Sequence, residues 1–243
     1  MIGKWAAILA SSALGLAGAC AATFAGPFDG RPKILLHVTA PTVKNICGRA
    51  QLADCLSANS SGSTVESPDG PFHFVYLLLD RGHLTSTRGF ICGITYENMA
   101  AGAQNNGTGL DIFDWVSCGE GGELETIVPW PRPGSQILRY WSGDHDECYN
   151  AKVAVTGYFY VGAYGPDTLR ITKPPDNKYI AVLDCFPQED FILTTEDLGW
   201  ATFSQGAAAP GCNPCVGPCG STPVQPVTWG AIKSGRKAVL GEH

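Results

Sequence analysis

The chain has 243 residues, a net charge of −6 at neutral pH, and 16% charged against 44% apolar residues. An acidic chain with no basic run is a poor partner for nucleic acid or an anionic membrane surface, which excludes those roles. Thirty Gly, 17 Pro and only two Met describe a turn-rich β protein, not a helical one.

Residues 1–25 read as a signal peptide. Lys4 is the only early charge, Ala6 to Ala19 is an uncharged run of small and apolar residues, and small residues follow. The run is too short to span a bilayer comfortably. Cleavage after Ala25 leaves a chain opening on Gly26-Pro27; cleavage after Ala21 is the alternative, and Cys20 keeps open an acyl anchor. No later stretch has the length and apolarity of a transmembrane helix.

Short runs rich in β-branched and aromatic residues then recur, bounded by Gly, Pro, Asn or Asp. They predict strands at Lys33–Thr39, Phe72–Leu79, Gly89–Tyr96, Leu110–Cys118 and Gln136–Trp141. Further strands are predicted at Ala151–Tyr164, Thr168–Thr172, Tyr179–Asp184 and Gly199–Phe203. No window beyond the leader keeps a helical period over three turns. Ser57–Gly70 and Ala100–Gly109, rich in Ser, Gly and Asn, read as surface connections. The fold class is therefore all-β: an antiparallel β-sandwich over residues 26–204, because two half-apolar sheets bury their faces only against each other.

Within the longest strand, alternation places Tyr158, Tyr160 and Tyr164 on one face and Phe159, Val161 and Ala163 on the other. The second set suits a core; the tyrosine face is expected half exposed or under a loop. Past Phe203 the composition changes. Residues 205–226 read as a Cys/Pro/Gly-rich linker stapled by disulfides, and residues 227–243 as a short basic tail containing Trp229, for sorting or anchoring.

Without Cys20, nine cysteines remain, so one is unpaired, intermolecular or a ligand. An oxidising compartment assigns Cys47, Cys55, Cys118, Cys148, Cys185, Cys212, Cys215 and Cys219 to structural disulfides. Short loops favour Cys47 with Cys55 and Cys118 with Cys148. The competing reading makes Cys212-x2-Cys215-x3-Cys219 half of a zinc site, completed by Cys185 or a histidine.

Several blocks carry a resemblance: Arg88-Gly-Phe-Ile-Cys-Gly-Ile-Thr-Tyr96, Asp111 to Cys118, Gly157 to Tyr164, Val182-Leu-Asp-Cys185, Gly211 to Cys215 and Thr228 to Lys233. Taken together they resemble a family of secreted proteins of environmental bacteria to which no activity is attached. The resemblance implies a β-sandwich, a cysteine-containing linker and a short C-terminal motif. At greater distance, the strand Gly89 to Tyr96 resembles the second-strand region of cohesin-type sandwiches, which bind other proteins. That implies a cohesin-like or immunoglobulin-like sandwich and carries no function on its own.

Candidate chemistry is sparse. Gly143 to Glu147 gathers Asp144, Asp146 and Glu147, oxygen ligands that suit calcium, against the plainer reading of a solvated acidic turn. There is no Gly-x-Ser-x-Gly elbow and no His-Glu-x-x-His pair. Asp111, Asp114, Glu123 and Glu125 offer carboxylates, but no spacing selects a glycosidase pair. His37 and His73 lie in apolar strands and read as satisfied sheet residues. Trp130, Tyr140, Trp141, Tyr158 and Tyr160 are the binding candidates, since flat rings stack on sugars and anchor protein interfaces. The expectation is an exported, non-catalytic binding or structural module recognising extracellular carbohydrate or protein, with no cofactor beyond a structural calcium or zinc. The rival is an exported hydrolase using carboxylates or a metal near Asp144 to Glu147.

Overall fold

The computed structural model describes residues 30–41, 46–50, 52–64, 71–96, 105–119, 121–125, 128–141, 148–174, 179–186, 190–205 and 210–220. Two sheets form the sandwich. The first orders β1 (Lys33–Thr39), β3 (Phe72–Asp80), β8 (Val153–Ala163) and β5 (Leu110–Ser117), all antiparallel. The second centres on β4 (Thr87–Thr95) and contains β2 (Ser61–Ser63), β6 (Glu123–Glu125), β7 (Gln136–Tyr140) and β9 (Asp167–Thr172). It is completed by β10 (Ala181–Asp184), β11 (Asp190–Ile192) and β12 (Trp200–Ser204). The predicted strands all appear, within two residues at each end. The short strands β2, β6 and β11 and one helical turn, α1 (Ile46–Arg49), have too few residues for a period to show.

Alternation fills the space between the sheets. Ile34, Leu36 and Val38 of β1, Val75, Leu77 and Leu79 of β3, and Phe159, Val161 and Ala163 of β8 meet Phe90, Cys92 and Ile94 of β4 and Leu169, Ile171, Ala201 and Phe203. At about 25 cal/mol per Å² of buried apolar surface, this layer is the main source of stability. Gly89 is required here by proximity: a Cβ on it would lie 2.0 Å from the Arg139 carbonyl oxygen on β7.

The outer face of the first sheet is not left to solvent. Leu35, Phe74, Tyr76, Leu78 and Tyr158 lie under Ile46, Cys47, Ala50, Leu52, Cys55, Ala58 and Cys215. The tyrosine face therefore packs beneath a loop at Tyr158, while Tyr160 stays half-buried. Within Ser57–Gly70, read as a surface connection, Asn59 binds β1 through its amide and accepts from Ser61 N–H, so this part is an ordered cover. The two strand histidines are satisfied: His37 Nδ1 accepts from the Asn59 N–H and His73 Nε2 meets the Ser63 carbonyl.

Four disulfides fix this cover and the sheet ends, and their pairing corrects both short-loop expectations. Cys47 bonds Cys118, not Cys55, because α1 lies against β8, whose neighbour β5 leads directly into Cys118. Cys55 bonds Cys215 across 160 residues. Cys148 bonds Cys185, not Cys118: Thr87 pairs with both Tyr149 and Asp184, which brings the neighbouring cysteines together. Cys212 bonds Cys219. The zinc reading of Cys212, Cys215 and Cys219 falls, since all three sulfurs are taken. Cys92, wholly buried in the core, is the free thiol among the described residues, and burial pushes its pKa up.

Residues 210–220, which composition assigns to a linker, are fastened to the sandwich. Cys212 exchanges backbone hydrogen bonds with Trp200, and buried Asn213 donates to the Cys55 carbonyl at 2.7 Å. Next to the Cys55–Cys215 bridge lies Asp80, 2% exposed. Its Oδ1 meets Lys152 Nζ at 2.7 Å. Its Oδ2 points at the sulfurs, 3.1 Å from Cys55 and 3.7 Å from Cys215. A disulfide has no S–H to donate, so this oxygen faces acceptors only.

Candidate functional site

The register of β4 creates a concavity. Gly89 to Gly93 pair with β7 on one edge. On the other edge, Thr87 to Ile91 pair with β10, and Gly93 to Thr95 pair with β9. Two strands thus share one edge in succession and part at Cys92. The fork between them opens into a cleft of about 820 Å³, closed on its far side by β12 and the Cys219–Gly220 segment. A concave site of this size holds one to a few ligand residues.

The floor of the cleft is apolar, formed by Ile171, Ile180, Leu193 and Leu198, all buried. Its rim carries Arg170, Lys173, Tyr179 and Trp200, with the hydroxyls of Thr172, Thr194 and Thr195. Register explains the pairing at the rim: Trp200 on β12 lies directly opposite Arg170 on β9, on the outer face of the second sheet. The Arg170 guanidinium stands 4.7 Å from the centre of the Trp200 ring, a cation–π contact that holds both side chains. Tyr179 is oriented by its hydroxyl, which donates to Asp190 at 3.4 Å, and Asp190 is paired with Arg88.

Next to the cleft, Asp197 organises the wall. Its carboxylate takes a forked pair of bonds from Arg31 at 2.7 and 2.9 Å and further bonds from the Thr194 N–H and hydroxyl. Burial alone would raise its pKa. The Arg31 and Thr194 hydrogen bonds outweigh that and hold the carboxyl below its ordinary value. Glu196 adds to the field that raises the Arg31 pKa, and its side chain also lies beside Gly220 of the cleft lining.

The aromatic residues singled out in the sequence lie elsewhere and do not converge. Trp130 is 7% exposed, its ring packed against Trp115 and Phe159. Trp141 is 8% exposed, donates from Nε1 to Thr87 and covers the buried Arg139 guanidinium. Tyr158 is 8% exposed beneath the 46–58 cover. These three rings are used by the interior, which leaves them little surface for a ligand. Tyr140 is half-buried on the outer face of the second sheet beside Ile91 and Leu183. Tyr160 joins Phe72, Phe113 and Tyr164 in an open cluster on the first sheet. Asp144, Asp146 and Glu147 lie outside the described residues.

Of the carboxylates weighed for a glycosidase pair, Asp111, Asp114 and Glu123 have structural partners, and the Glu125 side chain lies outside the described residues. Asp111 accepts from the Asn106 and Gly107 N–H groups, and Glu123 pairs with Arg139 at 2.6 Å. Asp114 accepts from the Trp115 N–H. A second hollow of about 650 Å³, walled by Cys47, Leu52, Cys118, Trp141, Cys148 and Tyr149, has no charged side chain in its lining among the described residues.

Sequence reasoning missed Arg170, Lys173, Tyr179 and Trp200 as a group. A local signal exists, because alternation puts Trp200 on the polar face of β12, opposite Ala201 and Phe203. A tryptophan on that face has no core to enter.

No protein-family model matches the chain, and no curated protein matches it in sequence. Solved structures with overall likeness are cohesin modules. One, from a family 33 glycoside hydrolase of Clostridium perfringens, is 9% identical with a TM-score of 0.40 over 72% of this chain and 98% of that one. Another, the sixth cohesin of an Acetivibrio cellulolyticus scaffoldin in complex with a dockerin, is 8% identical with a TM-score of 0.41, covering 72% and 99%. A type I cohesin–dockerin complex of Clostridium thermocellum gives 9% identity and 0.40 over 73% and 96%.

Proposed function

We propose that this chain is an exported, non-catalytic binding module that holds a polysaccharide in the cleft between β9 and β10. The observation that carries the reading is the rim, where Trp200 and Tyr179 stand over an apolar floor. Flat rings at a concave site stack on the C–H faces of sugar rings, and the threonine hydroxyls at the same rim pair with sugar hydroxyls. Among the described residues the lining contains cations, hydroxyls and aromatics, with Cys219 in a disulfide, a set suited to retaining a ligand. Export is supported by the leader-like first 25 residues and by four disulfides, which persist in oxidising compartments.

Affinity electrophoresis of the full chain through gels containing a panel of polysaccharides tests this. Retardation by at least one polymer is expected, lost in Trp200→Ala while the near-ultraviolet dichroism stays native, with no shortening of the polymer. Equal retardation of Trp200→Ala, or cleavage of the polymer, refutes it.

A protein partner is the second reading, favoured by Phe113 and Tyr164, which are 38% and 42% exposed at the open end of the aromatic cluster on the first sheet. It predicts that Phe113→Ala with Tyr164→Ala, and not Trp200→Ala, abolishes capture of that partner.

A further inference from the structure

We infer that the ligand of the β9–β10 cleft is an anionic sugar, carboxylated or sulfated; this rests on the polysaccharide reading above and specifies its substrate class. The argument is from charge. The chain is acidic, with 22 Asp and Glu against 16 Lys and Arg. Yet among the described residues the cleft lining contains Arg170 and Lys173 and no carboxylate. Neither cation forms an ion pair among the described residues, and both side chains are exposed at the rim. Two of the nearby acids are paired away from the cleft, Asp190 toward Arg88 and Tyr179 and Asp197 toward Arg31 and Thr194, which leaves Glu196 beside Gly220 as the carboxylate next to the lining among the described residues. A local positive field on a negative chain attracts anions and repels nothing that a neutral ligand would need, so it has consequence only for a charged one.

Geometry adds the second half. Arg170 is held over one face of the half-buried Trp200 ring, so a sugar meeting the part of the indole left uncovered lies next to the guanidinium. A guanidinium presents paired N–H donors that match a carboxylate or sulfate edge to edge. Stacking on the indole and pairing with the guanidinium then act on one sugar residue, with Lys173 placed to meet the anion of the next. An acidic peptide would satisfy the cations and leave the aromatic rim idle, which is why the sugar is favoured over a protein segment.

The test is calorimetric titration of the full chain with four probes: oligogalacturonate, its fully methyl-esterified form, a sulfated dextran oligomer and poly-glutamate. Binding of one or both anionic sugars at least about tenfold tighter than the ester is expected, with affinity falling as salt rises. Arg170→Gln with Lys173→Gln should lose about tenfold, and Arg170→Lys with Lys173→Arg should recover most of it, which separates charge from folding. Equal affinity for the ester overturns the anionic class while leaving the stacking reading intact. Poly-glutamate binding as tightly as the sugars overturns the sugar class. If no sugar binds and Trp200→Ala changes nothing, the underlying reading fails as well. The ratio of sulfated to carboxylated sugar decides which anion the cleft takes.

Discussion

Replacing both Cys55 and Cys215 removes the bridge that fastens residues 210–220 to the cover of the first sheet. For a closure across 160 residues, loop entropy gives about 5 kcal/mol at 25 °C. The Cys47–Cys118 and Cys148–Cys185 bridges already shorten that path, which lowers the figure to about 4 kcal/mol. The choice of replacement then matters. Asp80 Oδ2 is a buried carboxylate oxygen with only sulfur acceptors before it, and a serine hydroxyl at position 55 supplies the missing donor. A hydrogen bond to a charged acceptor contributes about 1.5–3 kcal/mol, so the serine pair should be more stable than the alanine pair by about that amount. Urea denaturation of the full chain and both double variants, under non-reducing conditions, measures the two differences together. A loss below about 1 kcal/mol would show that the 210–220 segment holds without its bridge. An alanine pair as stable as the serine pair would refute the account of Asp80.

The remaining expectations concern the core and the cleft wall. Asp197→Asn should cost about 2–3 kcal/mol at neutral pH and flatten the acid limb of the stability curve. Because its folded pKa is depressed, Asp197 contributes above the unfolded value near 4, and the contribution disappears as pH falls through the lower folded value. Denaturant midpoints from pH 7 to 2.5 read this out, and an unchanged slope in the variant counts against it. His37, whose pKa burial lowers, adds a second loss below about pH 6.5 that His37→Gln should remove. Gly89→Ala drives a methyl into the Arg139 carbonyl and should cost about 3 kcal/mol or rearrange the β4–β7 ladder, visible in backbone amide spectra. Cys92 should resist alkylation in the native protein and react only on unfolding, as peptide-level mass spectrometry after native and denatured labelling will show.

The strands were legible because each sheet is wet or loop-covered on one face and dry on the other. Period-2 patterns therefore survive, as in β8, where Phe159 and Val161 face the core and Tyr158 faces the cover. The fork at Cys92 was not legible, since nothing local in Gly89 to Thr95 states that one edge is shared by two partners. The cleft inherits that opacity. Arg170 and Trp200 lie thirty residues apart and meet only through the β9–β12 register. The disulfides misled for a related reason: proximity along the chain favoured Cys47 with Cys55, whereas the cover runs along the sheet and sends the two cysteines to different partners. How the aromatic residues are shared between core and surface was not legible either: Trp130 packs on Trp115 and Phe159, and Trp141 covers the buried Arg139.

Bridge connectivity also sets an order of events as the polypeptide is made. Cys55 leaves the ribosome 160 residues before its partner, and Cys47 precedes its own by 71. Only Cys212 and Cys219, seven residues apart, can pair almost as soon as they emerge. Under oxidising conditions, any bond formed between the closely spaced Cys47 and Cys55 has to be broken by thiolate attack before either native bridge can form. The yield of native bridges from the reduced, unfolded chain should therefore rise when a disulfide isomerase is added to oxidative refolding.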